Sequence, residues 1–373
     1  MRVLHVAACY PPTWAYGGIP RVAHGLARAL RRAGVDARVW TTDAFAADAR
    51  APVGREHVLD GVPVTVSPNL SNRLAWAHQL YLPTRPPPDL AGFDLVHLHG
   101  HRHLLNLWAW RRAKAAGKPV VLTGNGTVPR IERKQGVKAI WDALADGEVP
   151  RAADAVVAVS RAEVGQLLAY GVRPERIRRI PNGLWLEEFD ALPARGAFRA
   201  RHALGEGPIV AYLGQISPRK GVDRLAAAFA DGALAPATLV VAGPIRGARL
   251  PAGVRHVGVL EGPDRLSLLV DADVLAYPST DEIFGLVPLE GLLCGAPVVV
   301  GGDCGCGEIV AEAGAGALVD GTVPALRDAL RRLLADRAAA AEMVERGRRW
   351  IRANADFERI AARHVALYAE LLA

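Results

Sequence analysis

Short apolar, β-branched runs alternate with stretches of helical periodicity along the whole chain. In the first half, Val3–Ala7, Ala37–Thr42, Leu95–His99, Val120–Thr123 and Ala155–Ser160 have the pattern of strands buried on both faces. Between the first two, Ile19, Val22, Ala23, Leu26, Ala29 and Leu30 recur at helical spacing, and Gly34 is a stop signal. In the second half, Ile209–Leu213, Leu239–Ala242, His256–Val259, Val274–Tyr277 and Val298–Val300 read as strands. Helical patterns fall at Val222–Ala230, Pro263–Asp271, Pro288–Cys294 and Pro324–Leu334. The tail Asp356–Leu372 carries Ile360, His364, Leu367, Tyr368 and Leu371 on one helical face.

Strands that alternate with helices predict parallel sheets joined by right-handed crossovers. A length of 373 residues accommodates two such units. The expected architecture is therefore α/β, with two Rossmann-like domains and a boundary at the turn signal Ile180-Pro181-Asn182-Gly183. Open parallel sheets bind ligands at the carboxyl ends of their strands, so function is expected in a cleft between facing domains.

Composition narrows the class. A hydrophobic fraction of 51% supplies a sizeable core and excludes disorder, while the 38 Gly and 26 Pro show no period that would mark a collagen-like chain. Cys9, Cys294, Cys304 and Cys306 are too few to staple the fold, which fits free, buried thiols in a reducing cytosol. Cys304-Gly-Cys306 lacks the C-x-x-C spacing of redox and zinc sites. Met1–Ala8 is too short for a signal peptide, and the longest apolar run, Ala296–Gly302, reads as a strand, so a cytoplasmic location is expected. The formal charge of +7 is uneven: 26 basic and 17 acidic residues through Arg195 give +9, and 19 and 21 beyond it give −2. A basic first half can solvate the surface or attract anionic lipid or phosphorylated substrates. No nucleic-acid module is recognisable, so nucleic acid is not an expected partner.

The segment Glu282-Ile-Phe284-Gly285-Leu286-Val-Pro288-Leu-Glu290-Gly291 carries the most chemistry. It follows a predicted strand and opens a helix whose first amides can meet phosphate. Gly285 permits close backbone approach, and the two carboxylates can accept hydrogen bonds from sugar hydroxyls. This segment resembles the Glu–seven residues–Glu motif of the family 4 retaining glycosyltransferases, which have the GT-B fold. The resemblance extends to five further segments in the family's order. Ala7–Arg21 with Gly17-Gly18 is similar to its glycine loop, and Val96-His97-Leu98-His99-Gly100 to its H-x-H strand end. Pro181-Asn182-Gly183 resembles the opening of its second domain, and Leu213–Gly221 its phosphate loop. Leu292–Val299 also resembles the stretch that follows the second glutamate.

The resemblance implies an acceptor-binding domain at 1–180, a donor-binding domain at 181–355 and a last helix, about 356–373, that crosses back to the first domain. It implies transfer of a sugar from a nucleotide-diphosphate-sugar donor, with retention and without a metal or other cofactor. The acceptor is left as a glycan, a lipid-linked molecule or a small molecule. Glu290 would bind the ribose and Glu282 the donor sugar. Lys220, with Arg219 beside it, would neutralise the diphosphate, an electrostatic role of the kind that often dominates catalysis. Backbone at Phe284, Gly285 and Leu286 would meet sugar and phosphate, Gly17 and Gly18 would approach the β-phosphate, and Gly243 lies near the base pocket. His99 would face the acceptor side.

Two positions depart from the family. Gln215 stands where relatives usually carry Arg, which removes a charge that Arg219 is placed to replace. Asn125, in Gly124-Asn125-Gly126-Thr127, stands where many relatives have His; its amide donates and accepts but holds no proton charge. These departures motivate two rivals, a sugar-nucleotide epimerase of the same fold and a weakly catalytic nucleotide-sugar-binding partner subunit.

The remaining signals carry less. His97, His99, His101 and His103 alternate, but Gly100 is expected to end the strand and break any metal-binding line. Gly124-x-Gly126 and the glycine run 301–307 lack the spacing of a dinucleotide loop, which disfavours a dehydrogenase. Leu104–Arg112 and Arg130–Trp141 mix aromatic and basic residues, as core helices do and as peripheral contacts on an anionic cytoplasmic membrane face do.

Overall fold

The expected apolar runs form strands because each lies inside a sheet covered on both sides. In the computed structural model, residues 1–13, 17–129, 136, 139, 141–143, 147–251, 253–280 and 282–373 are described. The chain divides into two compact units, Met1–Leu184 with Ala355–Ala373, and Trp185–Asn354.

The first unit runs β1 (Arg2–Ala7), α1 (Gly18–Arg32), β2 (Asp36–Thr42), β3 (Glu56–Leu59), β4 (Val62–Ser67), α2 (Asn72–His78), β5 (Leu95–His99) and α3 (Leu104–Ala115). It continues with β6 (Val120–Thr123), α4 (Val149–Ala152), β7 (Ala155–Ala158), α5 (Arg161–Tyr170) and β8 (Ile177–Arg179). The sheet order is β3-β4-β2-β1-β5-β6-β7-β8, parallel except for the antiparallel β3–β4 pair. That hairpin corrects the expectation of a purely parallel sheet. It turns at Asp60-Gly61, whose φ values of 48° and 79° suit the two-residue turn such a dipeptide favours.

The second unit runs α6 (Ala197–Arg201), β9 (Ile209–Leu213), α7 (Val222–Ala228), β10 (Thr238–Ala242), β11 (Arg255–His256), α8 (Gly262–Asp271), β12 (Val274–Tyr277) and α9 (Leu286–Cys294). It closes with β13 (Val298–Gly301), α10 (Gly305–Ala313), β14 (Gly316–Val319), α11 (Val323–Ala335) and α12 (Arg337–Asn354). Its sheet is wholly parallel in the order β11-β10-β9-β12-β13-β14. Counted along the unit this is 3-2-1-4-5-6, the order of a dinucleotide-binding sheet, with its reversal between β9 and β12. In the first unit the corresponding reversal falls between β1 and β5.

Helix α13 (Phe357–Leu372) returns the chain to the first unit and packs along α1. The outgoing and returning segments are tied together: Leu184 N–H donates to Ala355 O at 2.7 Å, and Phe357 N–H donates to Leu184 O at 3.1 Å. Phe357 is 3% exposed, and two glycines make room for its ring. A Cβ on Gly25 would stand 2.1 Å from Phe357 Cζ, and one on Gly183 2.4 Å from Cδ1. The glycine of Pro181-Asn182-Gly183 therefore has a packing reason.

Helix α3 holds the first of the two aromatic, basic stretches. Leu105, Leu107 and Trp110 are buried in the core, and Trp108 packs edge-on against Trp40 at 6.4 Å. The apolar side chains of Leu104–Arg112 serve the core, while Arg111 and Arg112 at its end are exposed. Most of Arg130–Trp141 lies outside the described residues. Among the described residues, no helix is long and apolar enough to cross a membrane.

An unusual core lies beneath β1 and β5. His5, His97, His99 and His364 are all buried, with His5 Nδ1 3.0 Å from His99 Nε2. His97 lies 2.6 Å from the Tyr368 hydroxyl and 2.7 Å from that of Thr123. Burial, followed by repulsion among the rings, pushes His5 and His97 well below the ordinary histidine value, and His99 down to about 3. Burial also lowers His364 to about 4.

Two stability predictions follow from this packing. The folded imidazoles refuse protons that the unfolded chain accepts below its ordinary value of 6.5, so stability is complete above that pH and falls as pH drops towards about 3. Melting curves from pH 8 to 4 should show a flat Tm that then declines, and the decline should be shallower in His99→Gln; parallel declines would refute the assignment. Separately, Gly25→Ala should lower Tm. The helix favours Ala by about 1 kcal/mol, but displacing the Phe357 ring costs about 1–3 kcal/mol.

Candidate active site

The sheet of the second unit gathers its polar loops at the strand-order reversal. Beyond β9 the chain turns through Gly214 (φ 145°), Gln215, Ile216 and Ser217 into a short helical turn, Pro218–Lys220. Beyond β12 it reaches Glu282. The side chains of Tyr212 and Tyr277, from the ends of these two strands, stack with ring centroids 5.8 Å apart and an interplanar angle of 9°. Each hydroxyl holds one loop: Tyr212 donates to Gln215 O at 2.8 Å, and Tyr277 donates to Glu282 Oε2 at 2.8 Å. Burial, with the Glu282 carboxylate nearby, pushes the Tyr277 phenol well above its usual range, so it stays a donor.

Lys220 Nζ forms an ion pair with the same Glu282 oxygen and lies 5.8 Å from the centroid of the Tyr277 ring. The Lys220 and Glu282 side chains keep 15% and 22% of their surface exposed, so both ends of the pair remain reachable. Gln215 and Arg219 are exposed, and Ser217 Oγ is buried with no hydrogen-bond partner among the described residues. Gly243 (φ 135°) follows β10 and is pressed against Gly214, where a Cβ would stand 1.9 Å from Gly214 O.

Gly285 (φ 75°) is the residue before α9 and has no side chain to cap that helix. A Cβ on Gly285 would stand 2.4 Å from Cys306 Sγ, and Cys306 N–H donates to Glu282 O at 3.2 Å. Burial pushes the Cys306 thiol well above its ordinary value, so it acts as small packing rather than as a nucleophile. Phe284 is buried, and Leu286 is the first residue of α9. Glu290 lies one turn further on and is wholly enclosed. It pairs with Arg265 of α8, which also reaches Glu188 at 3.4 Å.

In the first unit, Gly17 (φ 103°) is the residue before α1, and both Gly17 and Gly18 are exposed. Asn125 occupies a tight turn after β6, where Thr127 N–H donates to Gly124 O at 3.1 Å. Asn182 Nδ2 donates to Asn125 Oδ1 at 3.0 Å, which fixes the direction of the Asn125 amide. His99, expected to face the acceptor, is 0% exposed and belongs to the histidine core. β5 lies between sheet neighbours and under helices, so its last side chain turns inward, which corrects that expectation.

Metal chemistry finds two arrangements to test. His5, His97 and His99 are the one group of three ligand-type residues within 4.8 Å of one another among the described residues. Both ring nitrogens of His97 are engaged, His5 and His99 bond each other, and none of the three pairs with a carboxylate, so a dication there would be uncompensated. Asp271-Ala272-Asp273 spells an Asp-x-Asp triplet that sequence reasoning overlooked. Asp271 accepts the backbone N–H of Arg199 at 2.8 Å, and Asp273 accepts that of Ile209 at 2.7 Å, so both carboxylates serve the scaffold.

The structure thus brings Lys220, Glu282 and Gly285 together around Tyr277, while Glu290 is held by a separate pair. Sequence reasoning missed Tyr212, Tyr277, Arg265 and Cys306. The two tyrosines end predicted strands beside the motif loops, which was the available signal; Arg265 and Cys306 gave none, because their partners come from distant segments.

Comparison with known proteins shows the family of the chain. The chain matches the family described as Glycosyltransferase Family 4 over residues 16–188, and Glycosyl transferases group 1 over residues 195–350. The D-inositol 3-phosphate glycosyltransferase of Salinispora arenicola is 32% identical over 315 residues, covering 75% of this chain and 69% of that protein. The enzyme of that name from Xylanimonas cellulosilytica is 30% identical over 402 residues, covering 96% and 93%. Among solved structures, Anabaena HepE in complex with UDP and glucose shares the fold with a TM-score of 0.75 at 20% identity, covering 99% of this chain and 100% of that one. With both halves matched in order and relatives of this identity over most of its length, the chain belongs to the family 4 retaining glycosyltransferases of GT-B fold, which use nucleotide-sugar donors.

Proposed function

We propose that the second unit binds a nucleoside-diphosphate sugar at the ends of β9 and β12, and that the first unit binds the acceptor. The observation that carries this reading is the Lys220–Glu282 pair, anchored by Tyr277 at the strand-order reversal. Lys220 is the cation for the diphosphate leaving group, with Arg219 supplying the charge that Gln215 does not. Glu282 accepts hydroxyls of the donor sugar, and the backbone at Phe284, Gly285 and Leu286 meets sugar and phosphate at the start of α9. Glu290 accepts the ribose hydroxyls. Its enclosure means that the side chains over it, Arg265 foremost, must open for the nucleotide.

The acceptor we propose is a small polyol or sugar bearing phosphate. Two relatives are named for inositol 3-phosphate, and the first half of this chain carries the whole excess of positive charge. The exposed Arg111, Arg112 and Lys114 on α3 favour a second reading, in which the acceptor is lipid-linked and reached from an anionic membrane face. Flotation with phosphatidylglycerol vesicles separates the two, because only the second requires the protein to rise with the lipid.

Thermal-shift measurements with UDP, GDP and ADP test the donor site. Ligand at about 100 times Kd adds roughly 2.7 kcal/mol, so one diphosphate should raise Tm, with the shift reduced in Glu290→Gln. Failure of all three to shift the curve would sink the donor assignment. In turnover, Lys220→Ala should lower kcat about 10²–10³-fold, the size of losing one group that stabilises transition-state charge. An unchanged kcat would remove Lys220 from the reaction.

A further inference from the structure

The turn that carries Asn125 rests on a carboxyl group with no role in the transfer as described above. Glu163 lies in the first turn of α5, 0% exposed, and Ser160 Oγ accepts its backbone N–H at 3.2 Å. A glutamate three residues after a capping serine ordinarily reaches back to the N–H of that serine. Here Glu163 Oε2 instead accepts the Val159 N–H at 2.8 Å, and Oε1 accepts the Gly126 N–H at 2.6 Å.

Gly126 belongs to a turn with positive φ at both central positions, 49° at Asn125 and 79° at Gly126. Asn-Gly suits such a turn, as Asp60-Gly61 does, so what Glu163 adds is a tie that fixes where the turn stands. Space there is also tight: a Cβ on Gly124 would stand 3.2 Å from Glu163 Oε1. From the other side, Asn182 occupies Asn125 Oδ1, and Asn125 Nδ2 is buried with no partner among the described residues. A buried, unpaired amide N–H is costly, and an acceptor placed there, on a ligand or a water, would recover that cost.

We infer that Glu163 is a positioning residue for the transfer: by accepting the Gly126 and Val159 amides together, its carboxylate holds the 124–127 turn in the conformation that presents the Asn125 amide to substrate. This rests on the reading that Asn125 meets substrate. Burial raises the Glu163 carboxyl to about 7, against the pull of its two amide bonds. As a carboxylate it accepts both N–H groups; on taking a proton, one oxygen becomes a donor facing an N–H, and one bond is lost. The charged or titratable side chains on the elements around this turn are Arg161 and Tyr170 on α5, His97 and His99 on β5, and His101, Arg102 and Asp142, which meet around Thr127. Arg102 and Asp142 pair with each other at 2.8 Å, and burial keeps His97 neutral. None of these groups appears among the interactions that shift Glu163.

Hydrogen exchange of the full chain, read on a peptide spanning 124–128 and corrected for intrinsic rate, tests the hold directly. Protection should be high at pH 8 and lower at pH 6 in the wild type, and low at both in Glu163→Gln. Turnover of UDP-glucose, GDP-mannose or ADP-glucose, followed as release of the nucleoside diphosphate, provides the second readout. Wild-type kcat should fall about tenfold per pH unit below pH about 7. In Glu163→Gln it should be about 10–100-fold lower at pH 8 with KM within about twofold, and the acid limb should be absent. An acid limb that persists in the variant, or protection at 124–128 that is independent of both pH and residue 163, overturns the inference. If none of the donors turns over, the function reading is in question while the exchange still decides the hold; if Glu163→Gln does not fold, the wild-type exchange at the two pH values decides it.

Discussion

The reversal of strand order between β9 and β12 is the constraint on which the rest of the second unit depends. Parallel strands joined by right-handed crossovers must send the connections on either side of such a point in opposite directions, and the gap they leave lies at the carboxyl ends. The loops after β9 and β12 flank that gap. The side chains that end the strands, Tyr212 and Tyr277, floor it with stacked rings and give their hydroxyls to Gln215 and Glu282. Lys220 and Glu282 meet there although 62 residues separate them in sequence. Sheet topology produces the proximity, and the tyrosines make it specific.

Glycine has a different task in each of these loops. At Gly243 and Gly285 a side chain would collide with Gly214 O and Cys306 Sγ, so these positions close the loops against their neighbours. At Gly17, also at positive φ, nothing among the described residues stands within 4 Å of where a Cβ would point, so its backbone conformation is the demand that glycine meets. Gly25 and Gly183 serve neither purpose, because they are small so that Phe357 can lock the returning segment against α1.

Much of this was legible in the sequence, and the omissions share a cause. Buried central strands such as Leu95–His99 and Val274–Tyr277 announce themselves as apolar runs, since both faces are covered. Of the strands that escaped notice, Glu56–Leu59 and Gly316–Val319 are short edges of their sheets, and Val62–Ser67 alternates between buried and half-buried positions instead of forming an apolar run. Asp60-Gly61 was the readable sign of the first hairpin. The site motifs were legible because backbone demands fix their glycines and prolines. Arg265 and Cys306 were not, because a pair formed across distant segments leaves no local pattern. His99 misled for the same reason: alternation places it on one face of β5, but only the packing of α13 makes that face interior.

On the proposed reading, the Lys220–Glu282 pair also explains how one site serves a neutral sugar and a highly charged leaving group. Without donor, each charge neutralises the other in a half-buried setting, where an unpaired ion would be costly. An arriving diphosphate offers Lys220 a stronger partner than a single carboxylate. Glu282 is then released from its cation while Tyr277 keeps one of its oxygens in place, so it becomes a fixed acceptor for sugar hydroxyls. The exchange creates no new buried charge and requires no change of fold. Arg219, exposed on the same short turn as Lys220, can supply further charge to the diphosphate.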